Sequence, residues 1–162
     1  MNQTQLARLA ELTASLDSTF ESYAKTQTVL LSEMFILYSF YHKKSLTQKD
    51  ICDEWALPKQ TVHTICKNLI NQSFVQMHDN PSDKRAKLLS LTDTGENYAK
   101  SIIAPLLEIE NNTAQSFGIE RLEKLIQEFA ILERLFNEQM NTFINRINQQ
   151  LRQMALIKIG SL

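Results

Sequence analysis

Glycine and proline are scarce, three of each in 162 residues. Both punctuate chains, glycine through positive φ and proline by ending helices. Their scarcity excludes a fold made of many tight turns and leaves long helices to carry most of the sequence. Cysteine is nearly absent: Cys52 and Cys66 form no metal or redox motif, so a reduced, cytoplasmic setting is expected. No apolar run approaches the ~20 residues of a membrane span. The opening MNQTQLARLAELTASLDS has no apolar signal core, so nothing in it directs export. Neither sign of charge dominates. The formal net charge is −1, which argues against nucleic-acid binding as a property of the whole surface. No catalytic triad, glycine-rich phosphate loop or carboxylate pair stands out, so neither an enzyme nor a cofactor is expected. His42, His63 and His78 place no ligand set on one face, and no metal site is expected.

What is present is an ordinary globular composition, 43% apolar and 22% charged, which supports a packed core. The charge is unevenly placed. Between Ala56 and Leu91 the basic residues Lys59, Lys67, Lys84, Arg85 and Lys87 meet only the acids Asp79 and Asp83. The rest of the chain is net acidic. A local positive surface on an acidic protein suits contact with phosphates, because their attraction is short-ranged under salt.

Residues 4–24 carry Leu6, Leu9, Leu16, Phe20 and Tyr23 at mostly helical spacing and read as one amphipathic helix. Residues 30–43 are apolar nearly all round, which predicts a helix buried on several sides. In LTQKDI, Thr47 stands as N-cap and Asp50 at the third helical position, with Leu46 and Ile51 placed for a hydrophobic staple. A short helix to about Trp55 follows. Leu57-Pro58 then breaks the chain. A second helix runs from Lys59 to about Gln72 with Val62, Ile65, Cys66 and Leu69 inward. Two short helices across a tight break make a helix-turn-helix pattern. Residues 74–79 and 86–91 read as strands of a hairpin whose tip, Asn80 to Arg85, is rich in turn formers and charge. Thr92 caps a further helix, which Pro105 is expected to kink and Gly118 to end. The last helix starts near Glu120 and carries an apolar stripe from Leu122 to Ile147, continued by Leu151, Met154 and Leu156. At about 50 Å from residue 120 to 155, it is too long for one small domain to cover. With the first helix it reads as a dimer interface. Trp55 and the methionines read as core.

The run from Leu46 to Gly95 resembles the winged helix of the MarR family of bacterial transcription factors. Its most specific pieces are the wing NPSDKRAKLLSLTDTG, with Asp83 and Arg85 spaced as Asp-x-Arg, and the following Leu91-Thr92-x-x-Gly95. LTQKDI and KQTVHTICKNLI match the two helices before it. The flanking helices match in order and length only. The resemblance implies a mainly α fold with a small β-hairpin wing, a winged helix-turn-helix flanked by a helical dimerisation bundle. It divides the chain into N-terminal helices at 1–43, a DNA-binding domain at 44–92 and C-terminal helices at 93–162. Three departures carry expectations. The family usually has a small polar cap where Pro58 stands, so the second helix starts differently. It usually has glycine where Ser73 stands, and a left-handed serine there is strained. Basic residues common before the wing are here Gln76, Met77 and His78, which thins the positive surface.

In this setting Lys59, Gln60, Thr61, His63, Thr64 and Lys67 are candidates for contact with base edges and phosphates in a major groove. Arg85 is a candidate for a minor groove or a phosphate, with Asp83 orienting it, and Lys84 and Lys87 for phosphate attraction. Phe35, Tyr38 and His42 recur at three- and four-residue spacing and combine aromatic walls with polar tips, a candidate pocket for a small effector. Packing alone also explains those three. Cys66, set among Val62, Ile65 and Leu69, reads as a buried and inert thiol. The implied protein is a homodimeric, ligand-responsive repressor that binds a near-palindromic operator in double-stranded DNA, with a small aromatic or phenolic molecule as possible effector. The alternative is a winged helix that serves only as a protein-interaction scaffold.

Overall fold

The computed structural model describes residues 4–83 and 85–159, with side chains through Gln153. In order the elements are α1 (Gln5–Thr26), α2 (Leu31–His42), α3 (Gln48–Trp55), α4 (Lys59–Asn71), β1 (Val75–Asp79), β2 (Lys87–Leu91), α5 (Asp93–Phe117) and α6 (Ile119–Ile159). The mainly helical fold with one hairpin is the one the sequence predicts. Two compact units divide the chain, Met1–Ile109 and Glu110–Leu162, so that α5 crosses the boundary.

The first unit is built around α2. Its Met34, Ile36 and Leu37 have no exposed surface, and Phe40 almost none, as a helix apolar on all sides requires. Ile51 of α3, Val62, Cys66 and Leu69 of α4, Leu89 of β2 and Ile103 of α5 complete the core. Each large side chain buried in this way contributes about 1.5–3 kcal/mol. Trp55 is half-buried and Met34 fully buried, but Met77 is 55% exposed. The expectation that the methionines are core therefore fails at Met77, which shares the face of buried Val75 but lies further out along the wing, and at Met140 of α6, 43% exposed.

The predicted start of α3 is present in full. Thr47 Oγ1 accepts from the Asp50 N–H at 3.1 Å, and Asp50 Oδ2 accepts from the Thr47 N–H at 2.8 Å. Leu46 and Ile51 are buried on either side of this capping box. Leu46 also exchanges two backbone bonds with Leu89, at 2.9 and 2.8 Å, which ties the front of α3 to the wing. At the other end of α3, Ala56 adopts a left-handed conformation with φ 50. Pro58 is the N-cap of α4 and makes no side-chain cap bond. The break is thus wider than Leu57-Pro58, and α4 does start without the polar cap usual in the family.

Ser73 follows α4 with φ 61. Its N–H donates to Ile70 O at 2.9 Å and the Phe74 N–H to Leu69 O at 2.9 Å, a Schellman closure that needs a left-handed residue. Thr28 closes α1 in the same manner, with φ 58 and with the Thr28 and Val29 N–H groups on Lys25 O and Ala24 O, both at 3.1 Å. Each such non-glycine residue costs about 1–2 kcal/mol. The strain at Ser73 is offset by the start of α5. Thr92 Oγ1 donates to Ser73 O at 2.7 Å and accepts from the Gly95 N–H at 3.0 Å, while the Thr92 N–H donates to Phe74 O at 3.0 Å. A Cβ on Gly95 would sit 1.8 Å from Phe74 O. The Thr92-x-x-Gly95 spacing is therefore a docking joint, in which threonine bonds the turn and glycine lets the helix touch it.

Beyond this joint, Phe74 stacks on Tyr98 at 4.3 Å, and the Tyr98 hydroxyl donates to Glu33 Oε1 at 3.2 Å. Burial, and then the Glu33 carboxylate, push the Tyr98 hydroxyl up to about 12. The helix α5 continues past Pro105, whose missing N–H deprives the Ser101 carbonyl of its usual donor. One residue on, Tyr23 of α1 donates to Ile102 O at 2.6 Å.

In the second unit, Gly118 with φ 98 ends α5, as expected. α6 then runs 41 residues, about 60 Å at the helical rise. Arg121 lies 4.4 Å over the Phe117 ring, and Arg134 pairs with Glu138 at 3.0 Å. Apolar side chains along α6 are exposed, among them Ile126 at 59% and Phe143 at 49%. Met154 and Leu156, named above in the stripe, lie outside the residues whose side chains are described.

Candidate nucleic-acid interface

Burial of Val62, Ile65, Cys66 and Leu69 at 6% exposure or less fixes the rotation of α4. At 100° per residue the opposite face must then carry the intervening residues. Lys59, Gln60, His63, Thr64 and Lys67 are all exposed there, and Thr61 is half-buried at the edge. No side-chain hydrogen bond or ion pair to Gln60, His63, Thr64 or Lys67 occurs among the described residues, so these groups are free to meet another molecule. Cys66 points the other way. Burial pushes its thiol up to about 12, which disfavours the thiolate that reactivity needs. Cys52 on α3 is half-buried.

The wing is set by the pairing of β1 with β2, which runs antiparallel from Val75 opposite Leu91 to Asp79 opposite Lys87. At the far end, Lys87 and Asp79 form an ion pair across the strands. The lysine holds the Asp79 carboxyl below its ordinary value, chiefly through that hydrogen bond. Asn80 Oδ1 then gathers the N–H groups of Ser82 at 2.9 Å and Asp83 at 3.3 Å. Asp83 Oδ1 accepts from the Arg85 backbone N–H at 2.9 Å, and Ala86 N–H donates to Asp83 O at 3.1 Å. Among the described residues no ion pair joins the Asp83 and Arg85 side chains. Asp83 thus acts on Arg85 through the backbone, shaping the tip while the guanidinium stays exposed. Lys84 lies outside the described residues. On the strands, His78 Nε2 and Ser90 Oγ are 2.9 Å apart.

The aromatic candidates lie along α2. Phe35 stacks flat on Trp55 at 4.2 Å, Tyr38 meets the same indole edge-on at 5.8 Å, and Tyr38 and His42 are 4.6 Å apart. They form one aromatic row but open to different spaces. Phe35 lines an open, mostly apolar concavity of about 390 Å³ with Val29, Leu31, Leu57 and the Glu21–Lys25 ion pair. His42 lines another, of about 520 Å³, with Tyr41, Lys43, Lys44 and Glu96.

Beneath the row is a polar chain, running from buried Ser39 to the surface, that the sequence reading missed. Ser39, 1% exposed, accepts from Trp55 Nε1 at 2.7 Å and donates to Glu54 Oε2 at 2.9 Å. Lys43 Nζ reaches the same carboxylate oxygen at 2.9 Å. The only hint was one serine inside the apolar run of α2. Through these bonds the aromatic row of α2 is coupled to α3, the first helix of the helix-turn-helix.

Comparison with known proteins places this arrangement. The MarR family model matches residues 28–86. A MarR family regulator from Neisseria meningitidis superposes with TM-score 0.79 at 29% identity, over 86% of this chain and 98% of its own. NadR in complex with 4-hydroxyphenylacetate gives TM-score 0.68 at 18% identity, over 82% of this chain and 96% of its own. The MepR–DNA complex of S. aureus gives 0.62 at 16% identity, over 81% and 97%. The last two speak for the fold alone. All three are matched almost end to end, so this chain carries residues with no counterpart in them. No curated protein sequence matches. No described helix is long and apolar enough to cross a membrane.

Proposed function

We propose that this chain, which the MarR family model matches over residues 28–86, is a winged helix-turn-helix transcriptional regulator of that family and binds double-stranded DNA in a sequence-specific manner. It does so as a homodimer on a near-palindromic operator. The observation that carries this reading is α4. One face is locked into the core, and the opposite face offers Gln60, His63, Thr64 and Lys67 uncommitted beside an exposed Arg85. A helix of that kind fits a major groove ~12 Å wide. Two copies would place two such helices about one turn of DNA apart. Exposed apolar residues on α1 (Leu6, Leu12, Leu16) and along α6 support the dimer.

In the same reading the protein is a cytoplasmic repressor that releases DNA when a small aromatic or phenolic molecule binds beside α2. Phe35 would meet the effector in the apolar concavity it lines, with Tyr38 and His42 continuing the same aromatic row. The Ser39–Glu54 bond passes the change to α3. The test is filter binding with random duplex DNA at low salt, then selection of bound genomic fragments. Binding that weakens steeply with salt supports the reading. Its absence at low salt favours the protein-interaction scaffold, for which the neutralisation of Lys87 by Asp79 already speaks.

A further inference from the structure

The end of α2 and the first two turns of α5 border a mostly polar hollow, apart from the apolar one on Phe35. It consists of two adjoining concavities, of about 360 and 520 Å³, that share Phe40, Tyr41, Leu91 and Glu96 in their walls. Lys43, Lys44 and Ser90 also line the larger, and Asn97 and Lys100 the smaller. The walls thus hold three ammonium groups and one carboxylate, all within the first compact unit. Among the described residues, no hydrogen bond or ion pair engages the side chains of Tyr41, Lys44, Asn97 or Lys100. Lys43 differs, being paired with Glu54 at 2.9 Å. We propose that this hollow binds a small organic anion carrying two or more negative charges, as carboxylate or phosphate.

Size and charge argue this together. Each concavity falls within the range of small-molecule sites, about 300–1,000 Å³. The lysines exceed the one wall carboxylate by two charges, so a dianion balances the lining and a monoanion does not. Phe40, 4% exposed, and half-buried Leu91 give an apolar wall for a carbon skeleton. The Tyr41 hydroxyl and the Asn97 amide add uncharged donors. A DNA duplex also presents phosphates, but on a convex surface that cannot enter a hollow. A free molecule fits better.

Lys43 joins the hollow to α3. Its ammonium donates to Glu54 Oε2, which also accepts from the Ser39 hydroxyl, and Ser39 in turn accepts from the Trp55 indole N–H. An ammonium has three N–H groups. An anion in the hollow therefore shares Lys43 with Glu54 and loosens that contact. The change reaches Trp55, the one tryptophan of the chain, so indole fluorescence reports the hollow without a label. The inference needs neither DNA nor a second copy, and it stands apart from the effector concavity on Phe35.

The test titrates citrate and glycerol phosphate, separately, into the full-length protein at constant ionic strength, with potassium chloride as control. Trp55 fluorescence and calorimetry read the binding. A saturable response at millimolar concentration, absent with chloride, is expected, and the tighter of the two anions tells carboxylate from phosphate. Lys44→Gln with Lys100→Gln should weaken it about tenfold or more. Both lysines are exposed, so this double variant keeps its fold. Glu54→Gln keeps an oxygen for Ser39 but removes the rival charge on Lys43, and should tighten binding about threefold. No response beyond that of chloride, or one that the double variant leaves unchanged, overturns the site. If both anions are inert and the double variant binds random duplex DNA more weakly, with a salt slope smaller by about one or two, the lysines serve the DNA backbone and the proposal falls. A Glu54→Gln protein that binds no more tightly overturns the link to α3. None of these results touches the DNA-binding reading of α4.

Discussion

The Thr92 hydroxyl donates to the Ser73 carbonyl at 2.7 Å, joining the first residue before α5 to the left-handed residue that closes α4. Ser73 could be relaxed by glycine at no cost to the Schellman bonds, whereas the joint needs the hydroxyl of Thr92 for its two bonds and the bare backbone of Gly95 for its close approach.

Ser73→Gly should stabilise the protein by about 0.5–1 kcal/mol, the relief of left-handed strain less the added freedom of the unfolded chain. Thr92→Val should cost about 1–3 kcal/mol by leaving the Ser73 carbonyl and the Gly95 N–H without their partner. Gly95→Ala should cost still more, since the new methyl meets backbone rather than a yielding side chain. Urea titration of the three variants checks the order. A Gly95→Ala protein as stable as the parent would contradict the close approach described here.

Contacts of α4 and of the wing should fail in different ways. Gln60→Ala should relax preference at one base position, since a bidentate base contact discriminates by about 1–3 kcal/mol. Lys67→Ala should weaken binding to every sequence and lower the salt slope by about one. Asp83→Ala should act through the tip of the wing, because the bond it removes holds the Arg85 backbone. Arg85→Ala, which leaves that turn intact, should lose most on operators with A·T-rich flanks if the guanidinium enters a minor groove. Titrations of operator variants at two salt concentrations read all four. Full affinity in both the Lys67 and Arg85 variants would place the DNA elsewhere.

The capping box of α3 should be visible in acid. The Thr47 N–H, followed by its hydroxyl, holds the Asp50 carboxyl below its ordinary value of 3.8. A carboxyl lowered by folding adds stability that is whole above the unfolded value and is lost as pH falls through the folded one. Asp50→Asn should therefore remove stability at neutral pH and flatten part of the acid limb below about pH 4. Thermal melts across pH 2–7 make the comparison, and identical pH profiles would show that the box carries no charge effect.

Ser39→Ala should destabilise by about 1–3 kcal/mol, because Trp55 Nε1 loses its acceptor in a buried place. If the α2 row senses an effector and the polar chain relays it, Ser39→Ala should retain the thermal shift caused by a phenolic ligand but lose its effect on DNA binding. Tyr38→Ala should lose both. An unchanged shift in the Tyr38 variant removes that residue from the site.

Features encoded within a few residues of one another were legible in the sequence. The Thr47 capping box, the inward face of α4 and the wing hairpin are set by caps, by the 3.6 period and by turn formers, and each lies where the sequence predicts it. Ser73 was legible through the resemblance, as a serine forced into a glycine's conformation. Relationships between distant segments were not. Nothing near Leu46 announces its bridge to Leu89, because a single paired residue has no period. Ser39 looks like a weak spot in an apolar helix until Trp55 and Glu54 fold over it. The Lys87–Asp79 pair required the strand register, since eight residues separate the two in sequence.

That ion pair changes what the wing can offer. A lysine already holding an aspartate is not a vacant positive charge. A phosphate that reaches Lys87 meets an ammonium that already gives one of its three N–H groups to Asp79 and shares its field with that carboxylate. A basic residue counted from the sequence as a full unit of attraction is in this fold a discounted one, its pull on DNA reduced by the acid on the opposite strand.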